Sequence, residues 1–334
     1  MIAAPDDTLR DPGMTPTPVQ RVDGWLALDK PVGVGSTRAL GMVRRALKAA
    51  KAGHGGTLDP LASGVLPIAF GEATKTVQWV MQGRKVYRFT LSFGEQRATD
   101  DLEGEVVATS AKRPSDGELA ALLPRFTGQI VQTPPAFSAL KIGGRRAYDL
   151  ARAGETVILA PRQVRIDRLI LLARPTLETA DFEVECGKGT YIRSLARDLA
   201  LAAGTVGHLS ALRRTRCGPF DENSAISLDK LLSVEYHPRL LGYLLPVVTA
   251  LDDIPALAVT EPQARRIRGG QAVAISEVSP TSTGVHVLAS SAPSACGSSS
   301  PEAKAIRVMA GNDLVAIARI EAEWLRPVRV FNWT

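Results

Sequence analysis

Fifteen residues constrain this chain more than any others: Gly53-His54-Gly55-Gly56-Thr57-Leu58-Asp59-Pro60-Leu61-Ala62-Ser63-Gly64-Val65-Leu66-Pro67. Four glycines and two prolines among them exclude a regular helix. Pro60 lacks an amide donor and turns Asp59 away from helical backbone angles. The glycines admit positive φ and close backbone approach to a ligand. What remains is an ordered loop built around one carboxylate, Asp59. The apolar run from Val65 to Phe70 then reads as a buried strand. The loop alone leaves two uses for Asp59. It is either a carboxylate presented for chemistry on a rigid support, or a turn residue bonding its own backbone.

The rest of the chain narrows the class. Its 334 residues suit two domains, or one large domain with an appendage, and 45% hydrophobic content is enough for a real core. A net charge of +6 is compatible with a nucleic-acid partner. The three cysteines, Cys186, Cys217 and Cys296, are far apart. They suggest neither a disulfide framework nor metal-ligand spacing, and dispersed histidines add no zinc pattern. No apolar run is long enough to span a bilayer. No signal-like core stands at the N-terminus. The expected location is cytoplasmic.

Read in order, residues 1–20 are proline-rich and poor in large apolar residues, the composition of a disordered tail. Trp25 to Leu28 reads as a strand. Ser36 or Thr37 is expected to cap a helix whose apolar face carries Leu40, Val43 and Leu47. Arg44, Arg45 and Lys48 fall on its solvated side. Lys85 to Gly94 alternates as a strand, with Tyr87 on the apolar face. Residues 134–156 interleave Lys141, Arg145, Arg146 and Arg152 with Phe137 and Tyr148 around a Gly143-Gly144 hinge. That pattern suits a mobile insertion that grips nucleic acid, or a plain surface excursion. A helix is expected over Tyr191 to Ala203. Arg193 in its first turn opposes the macrodipole and therefore calls for a carboxylate partner. From residue 252 the pattern turns β-rich, interrupted by a Ser/Thr/Pro/Gly-rich loop over about 276–301.

The stretch 53–67 resembles the catalytic motif of the TruB family, the tRNA pseudouridine-55 synthases. Leu28-Asp29-Lys30-Pro31-Val32-Gly33 is similar to that family's other N-terminal motif. Tyr87, Gly189-Thr190-Tyr191-Ile192-Arg193-Ser194 and Leu212-Arg213-Arg214 follow in the family's order. The match covers about 24–219.

The resemblance implies an α+β pseudouridine-synthase fold, with a mixed, largely antiparallel central sheet flanked by helices. It implies a catalytic domain over 21–251 with an RNA-gripping insertion at about 134–156, and a small β-rich PUA-like RNA-binding domain over 252–334. The implied activity is isomerisation of a uridine in the T-arm of tRNA, position 55, after base flipping. Such chemistry calls for no cofactor and no metal. Asp59 would be the catalytic carboxylate and Arg193 its cation, since a nearby cation favours the charged form. Tyr87 would stack on the extruded base and take part in proton transfer, and Leu212 would pack on the other side. Tyr191 would help shape the pocket. His54 would fill the gap left by the flipped nucleotide. Lys30 would support the loop or contact RNA, Lys75 would contact phosphate, and Arg145 and Arg146 would grip the RNA. The expected state is a monomer, with tRNA as partner and no membrane. A non-catalytic tRNA-binding or folding protein on the same scaffold is the alternative.

Overall fold

A computed structural model describes residues 20–138, 140–234, 237–278 and 305–333, with the side chains of Arg146 and His237 left out. The expected tail before Gln20 and the Ser-rich loop beyond Val278 lie outside the described residues.

The apolar strands assemble into one 10-stranded sheet. Its main path runs Ala225–Ser227, Gly24–Lys30, Ala62–Phe70, Gly207–Cys217, Lys85–Phe93, Thr179–Cys186, Arg162–Thr176 and Gly128–Gln132. Neighbours are antiparallel except at two places. Gly24–Lys30 runs parallel to Ala225–Ser227, and Ala62–Phe70 runs parallel to Gly207–Cys217. The sheet is therefore mixed and largely antiparallel, as expected.

Strand Ala62–Phe70 shows why its sequence is an unbroken apolar run. Leu66, Ile68 and Phe70 enter one core, while Val65 and Ala69 enter another. A strand covered on both faces cannot alternate apolar with polar residues. Strand Lys85–Phe93 does alternate. Phe89, Leu91 and Phe93 are buried, Thr90 and Ser92 between them are partly exposed, and Arg88 just before them is exposed.

Three cores follow from these faces. One packs Phe89, Leu91 and Phe182 against Leu195 and Leu199 of helix Ile192–Ala202. A second packs Leu26, Leu66 and Ile68 against Ala39 and Val43 of helix Ser36–Ala46. Tyr87 and Leu212 pack against both and so mark the seam between them. The third core joins Trp25, Val65 and Phe220 to Leu314, Ile317 and Phe331. It seats the C-terminal β-rich unit on the main sheet. That unit is a 5-stranded sheet in the order Ala256–Ala258, Ala305–Ala310, Asp313–Glu321, Trp324–Val330, Val273–Ala274.

Two local expectations need correction. Neither Ser36 nor Thr37 caps the first helix; Gly35 is its N-cap, with no side-chain bond. Ser36 is buried in the first turn and bonds elsewhere. The Gly143-Gly144 pair is the turn of a hairpin, Lys141–Ile142 with Arg145–Arg146, rather than a hinge. Both glycines have positive φ (56° and 88°), as a two-residue hairpin turn requires.

Candidate active site

The aspartate loop is fastened at several points. The Ser36 hydroxyl donates to the Leu58 carbonyl and accepts from the Leu58 amide, both at 2.8 Å. The Gly33 amide donates to the Pro60 carbonyl at 2.8 Å, and the Gly55 amide to the Pro67 carbonyl at 2.8 Å. The turn after the first strand thus braces the loop directly. Lys30 completes that turn from inside. It is fully buried, and its Nζ donates to the carbonyls of Pro31 (2.8 Å) and Val34 (2.7 Å). Burial pushes its ammonium down to about 8, with nearby Asp59 opposing and Arg214 reinforcing the shift. Lys30 faces the loop's supports rather than solvent.

Asp59 emerges from this frame half-exposed, its side chain 44% accessible. Arg193 Nη2 lies 3.0 Å from Asp59 Oδ2. The guanidinium itself is 7% exposed and held on every side. It donates to the carbonyls of Thr99 (3.1 Å) and Phe137 (2.9 Å), and its Nε lies 3.5 Å from Asp101 Oδ2. The first-turn arginine therefore has the carboxylate that its position against the helix dipole demands, and a second one behind it. The helix start is itself pinned by Gln132. The Gln132 side chain accepts from the Tyr191 amide at 2.8 Å and donates to its carbonyl at 3.1 Å.

These groups share an open cleft of about 1210 Å³ over the seam between the two cores. Asp59, Tyr87, Tyr191, Arg193, Leu212 and Arg214 line it. Burial pushes the Tyr87 phenol up to about 12, with the Arg214 guanidinium pulling the other way. It is a neutral phenol at ordinary pH. The Arg162 guanidinium sits 4.9 Å over the Tyr191 ring, within cation–π range. The insertion contributes Phe137 and Tyr148 to the cleft. Their rings meet edge-to-face at 5.9 Å and 78°.

Other sequence candidates lie elsewhere. His54 is half-buried on the short strand Ala52–His54 and is not among the residues lining the cleft. Its Nδ1 is buried without a partner, and burial, then Arg214, lowers its pKa. Lys75 points to the C-terminal unit. Its Nζ donates to Glu72 (2.7 Å) and to the Val330 carbonyl (2.8 Å), 5.8 Å from the Phe331 ring centre. It therefore ties the short helix Gly71–Thr76 to the last strand of the C-terminal sheet. Arg145 is exposed and pairs with Glu155 at 3.0 Å. The Arg146 side chain lies outside the described part.

The sequence reading missed Ser36, Asp101, Gln132 and Arg214 as parts of the site. Asp101 carried one weak signal: it stands in an acidic, turn-rich segment. Gln132 carried none. Among the described residues no group of three His, Cys, Asp or Glu is placed to hold a metal ion, and no helix is long and apolar enough to cross a membrane.

The cleft thus holds a carboxylate paired with a buried arginine, with a phenol and an apolar side chain among its other lining groups. Comparison with known proteins gives it a family. Residues 44–192 match the family model for the TruB family pseudouridylate synthase (N terminal domain), and 193–252 match that for the tRNA pseudouridylate synthase B C-terminal domain. The chain is 52% identical over 319 residues to tRNA pseudouridine synthase B of Bradyrhizobium diazoefficiens, covering 94% of this chain and 87% of that one. It is 50% identical over 317 residues to tRNA pseudouridine synthase B of Gluconobacter oxydans, covering 93% and 91%. A crystal structure of a Cbf5-Nop10-Gar1 complex superposes with a TM-score of 0.68 at 25% identity, over 92% of this chain and 84% of that one. A structure of an H/ACA RNP bound to a substrate RNA containing 2'-deoxyuridine shares the fold, at TM-score 0.67, 21% identity and coverage of 96% and 93%. This chain belongs to the TruB family of pseudouridylate synthases. The boundary between the two family models falls at 192/193, inside one structural unit, since strand Gly207–Cys217 lies in the middle of the main sheet.

Proposed function

We propose that this enzyme, a tRNA pseudouridine synthase by its relatives, isomerises the uridine at position 55 in the T-arm, with Asp59 as its catalytic carboxylate. The observation that carries the reading is the Asp59–Arg193 pair, 3.0 Å apart in the cleft and backed by Asp101. Relatives about 50% identical over most of the chain support tRNA as the substrate.

The reaction breaks the N1–C1′ bond and forms a C5–C1′ bond. C5 loses its proton and N1 gains one, so the mass is unchanged. Asp59 can attack C1′ to give a glycosyl ester, or stabilise a cationic sugar while C2′ loses a proton to give a glycal. Either route uses a carboxylate on the sugar side of the cleft, held in place by its contact with Arg193. A uridine stacked in a folded arm must first leave its stack. The cleft offers the extruded base the Tyr87 ring and the Leu212 side chain as walls, with Tyr191 at the margin. The neutral Tyr87 phenol can donate a hydrogen bond to the extruded base, and in this reading it takes part in proton transfer.

In the same reading, 134–156 grips RNA beside the cleft, and His54 occupies the place the flipped base vacates. The β-rich 252–334 is a PUA-like RNA-binding domain, and the protein acts as a cytoplasmic monomer. The test is tritium release from a T-arm stem-loop carrying uridine tritiated at C5. Wild type should release tritium, and Asp59→Ala should not while still binding the RNA. Release by Asp59→Ala would remove Asp59 from the chemistry.

A further inference from the structure

Arg214 is among the largest side chains in the protein that are fully buried, at 1% exposure. Its partners are neutral. Nε donates to the Val65 carbonyl at 2.7 Å and Nη2 to the Gly56 carbonyl at 3.1 Å. Among the described residues no carboxylate pairs with it. A buried charge without a counterion is costly. Two carbonyls could be satisfied by a neutral amide, so hydrogen bonding alone does not explain a cation here.

The geometry around it is specific. Arg214 stands opposite Tyr87 in the antiparallel pairing and opposite Gly64 in the parallel one. Gly64 has φ +100°, and a Cβ there would come 2.2 Å from the Arg214 carbonyl oxygen. Gly56 has φ +138°, and a Cβ there would lie 3.5 Å from Arg214 Nη1. Gly64 thus lets the backbone of strand Gly207–Cys217 come close at residue 214, and from there the Arg214 side chain reaches the Gly56 carbonyl under the Asp59 loop. The guanidinium lies beside the Tyr87 phenol and weighs on its ionisation. It also lowers the pKa values of His54 and Lys85.

We infer that Arg214 is a positioning residue of the reaction. It ties the Gly56 end of the Asp59 loop to strand Ala62–Phe70 and stands across from Tyr87 in the neighbouring strand, so that the carboxylate and the phenol keep their places in the cleft. This rests on the reading of Asp59 and Tyr87 above and deepens it.

Single-turnover tritium release tests it with wild type, Asp59→Ala, Arg214→Met, Arg214→Lys, Tyr87→Phe and the Arg214→Met/Tyr87→Phe pair. Arg214→Met should slow turnover about 100-fold, the scale for removing one preorganised electrostatic group. Its RNA dissociation constant should stay within about threefold, a turnover effect rather than a binding effect. Arg214→Lys should recover part of the rate, because it restores the charge without the fork. The double variant should be no slower than the slower single one, since groups acting as a unit are not additive. Wild-type turnover in Arg214→Met overturns the inference. So do multiplicative losses in the double variant. If neither Arg214 variant folds, the residue is architectural and the inference falls. Tritium release by Asp59→Ala, or none by wild type, instead brings down the reading of Asp59, which the Arg214 variants do not touch.

Discussion

The cleft floor and the insertion beside it both carry arginines, held in opposite ways. On the floor, Arg193 and Arg214 are 7% and 1% exposed and are bonded to backbone carbonyls of separate elements. In the insertion, Arg145 is 59% exposed on a two-residue strand and pairs with Glu155. An arginine locked by several acceptors fixes the geometry of whatever it faces. An exposed one on a short hairpin supplies charge at little cost in order, and its pair is worth roughly 0–1 kcal/mol. The first kind should govern turnover, and the second affinity.

The largest effect should come from Asp59→Ala, with turnover reduced by at least about 1000-fold and RNA affinity retained. If activity survives in single-turnover assays, the floor is not where the chemistry occurs. Arg193→Met should lose about 100- to 1000-fold in turnover. It should also lower the melting temperature, because Asp101, 8% exposed, is left without its cation; breaking a buried pair costs about 3–5 kcal/mol. A variant that melts early yet turns over within tenfold of wild type would break the comparison. Arg145→Ala combined with Arg146→Ala should leave turnover at saturating RNA unchanged. It should weaken binding and flatten the slope of log affinity against log salt by about 1–2. An unchanged slope would remove the insertion from the RNA interface.

The smallest effect concerns Lys30. Its folded pKa of about 8 lies below the ordinary 10.5. Between those values the unfolded chain holds more protons, so stability rises with pH. The cost of the buried ammonium is present in full below about 8 and is relieved as pH climbs toward 10.5. Lys30→Met should abolish that rise, as read from denaturation midpoints across the window. The same slope in both proteins would mean that Lys30 titrates normally.

Much of the site was legible because its constraints are local. Pro60 and the glycines dictate a loop, and the run Val65 to Phe70 dictates a buried strand. Arg193 at a helix start calls for an anion, and Asp59 is that anion. Lys30 and Lys75 show the limit. Both are lysines beside motif residues, and a sequence does not say which way a flexible four-carbon stem will turn. One folded under its own loop and the other reached the last strand. Ser36 looked like a cap because serines before apolar helices usually are. A stronger partner, the Leu58 backbone, lay 22 residues away in the chain.

By itself, the sequence determined a rigid loop presenting Asp59, strands of the right periodicity on either side, and an arginine in need of a carboxylate. These follow from backbone sterics, side-chain alternation and the helix dipole, which act over a few residues. Only the tertiary structure decided that Arg214 lies beneath that loop, that Asp101 backs Arg193, and that Tyr87 and Leu212 meet at the seam of two cores. Those contacts arise from strand Gly207–Cys217 pairing between Ala62–Phe70 and Lys85–Phe93. Strand order is set by the packing of the whole sheet, and no local pattern encodes it.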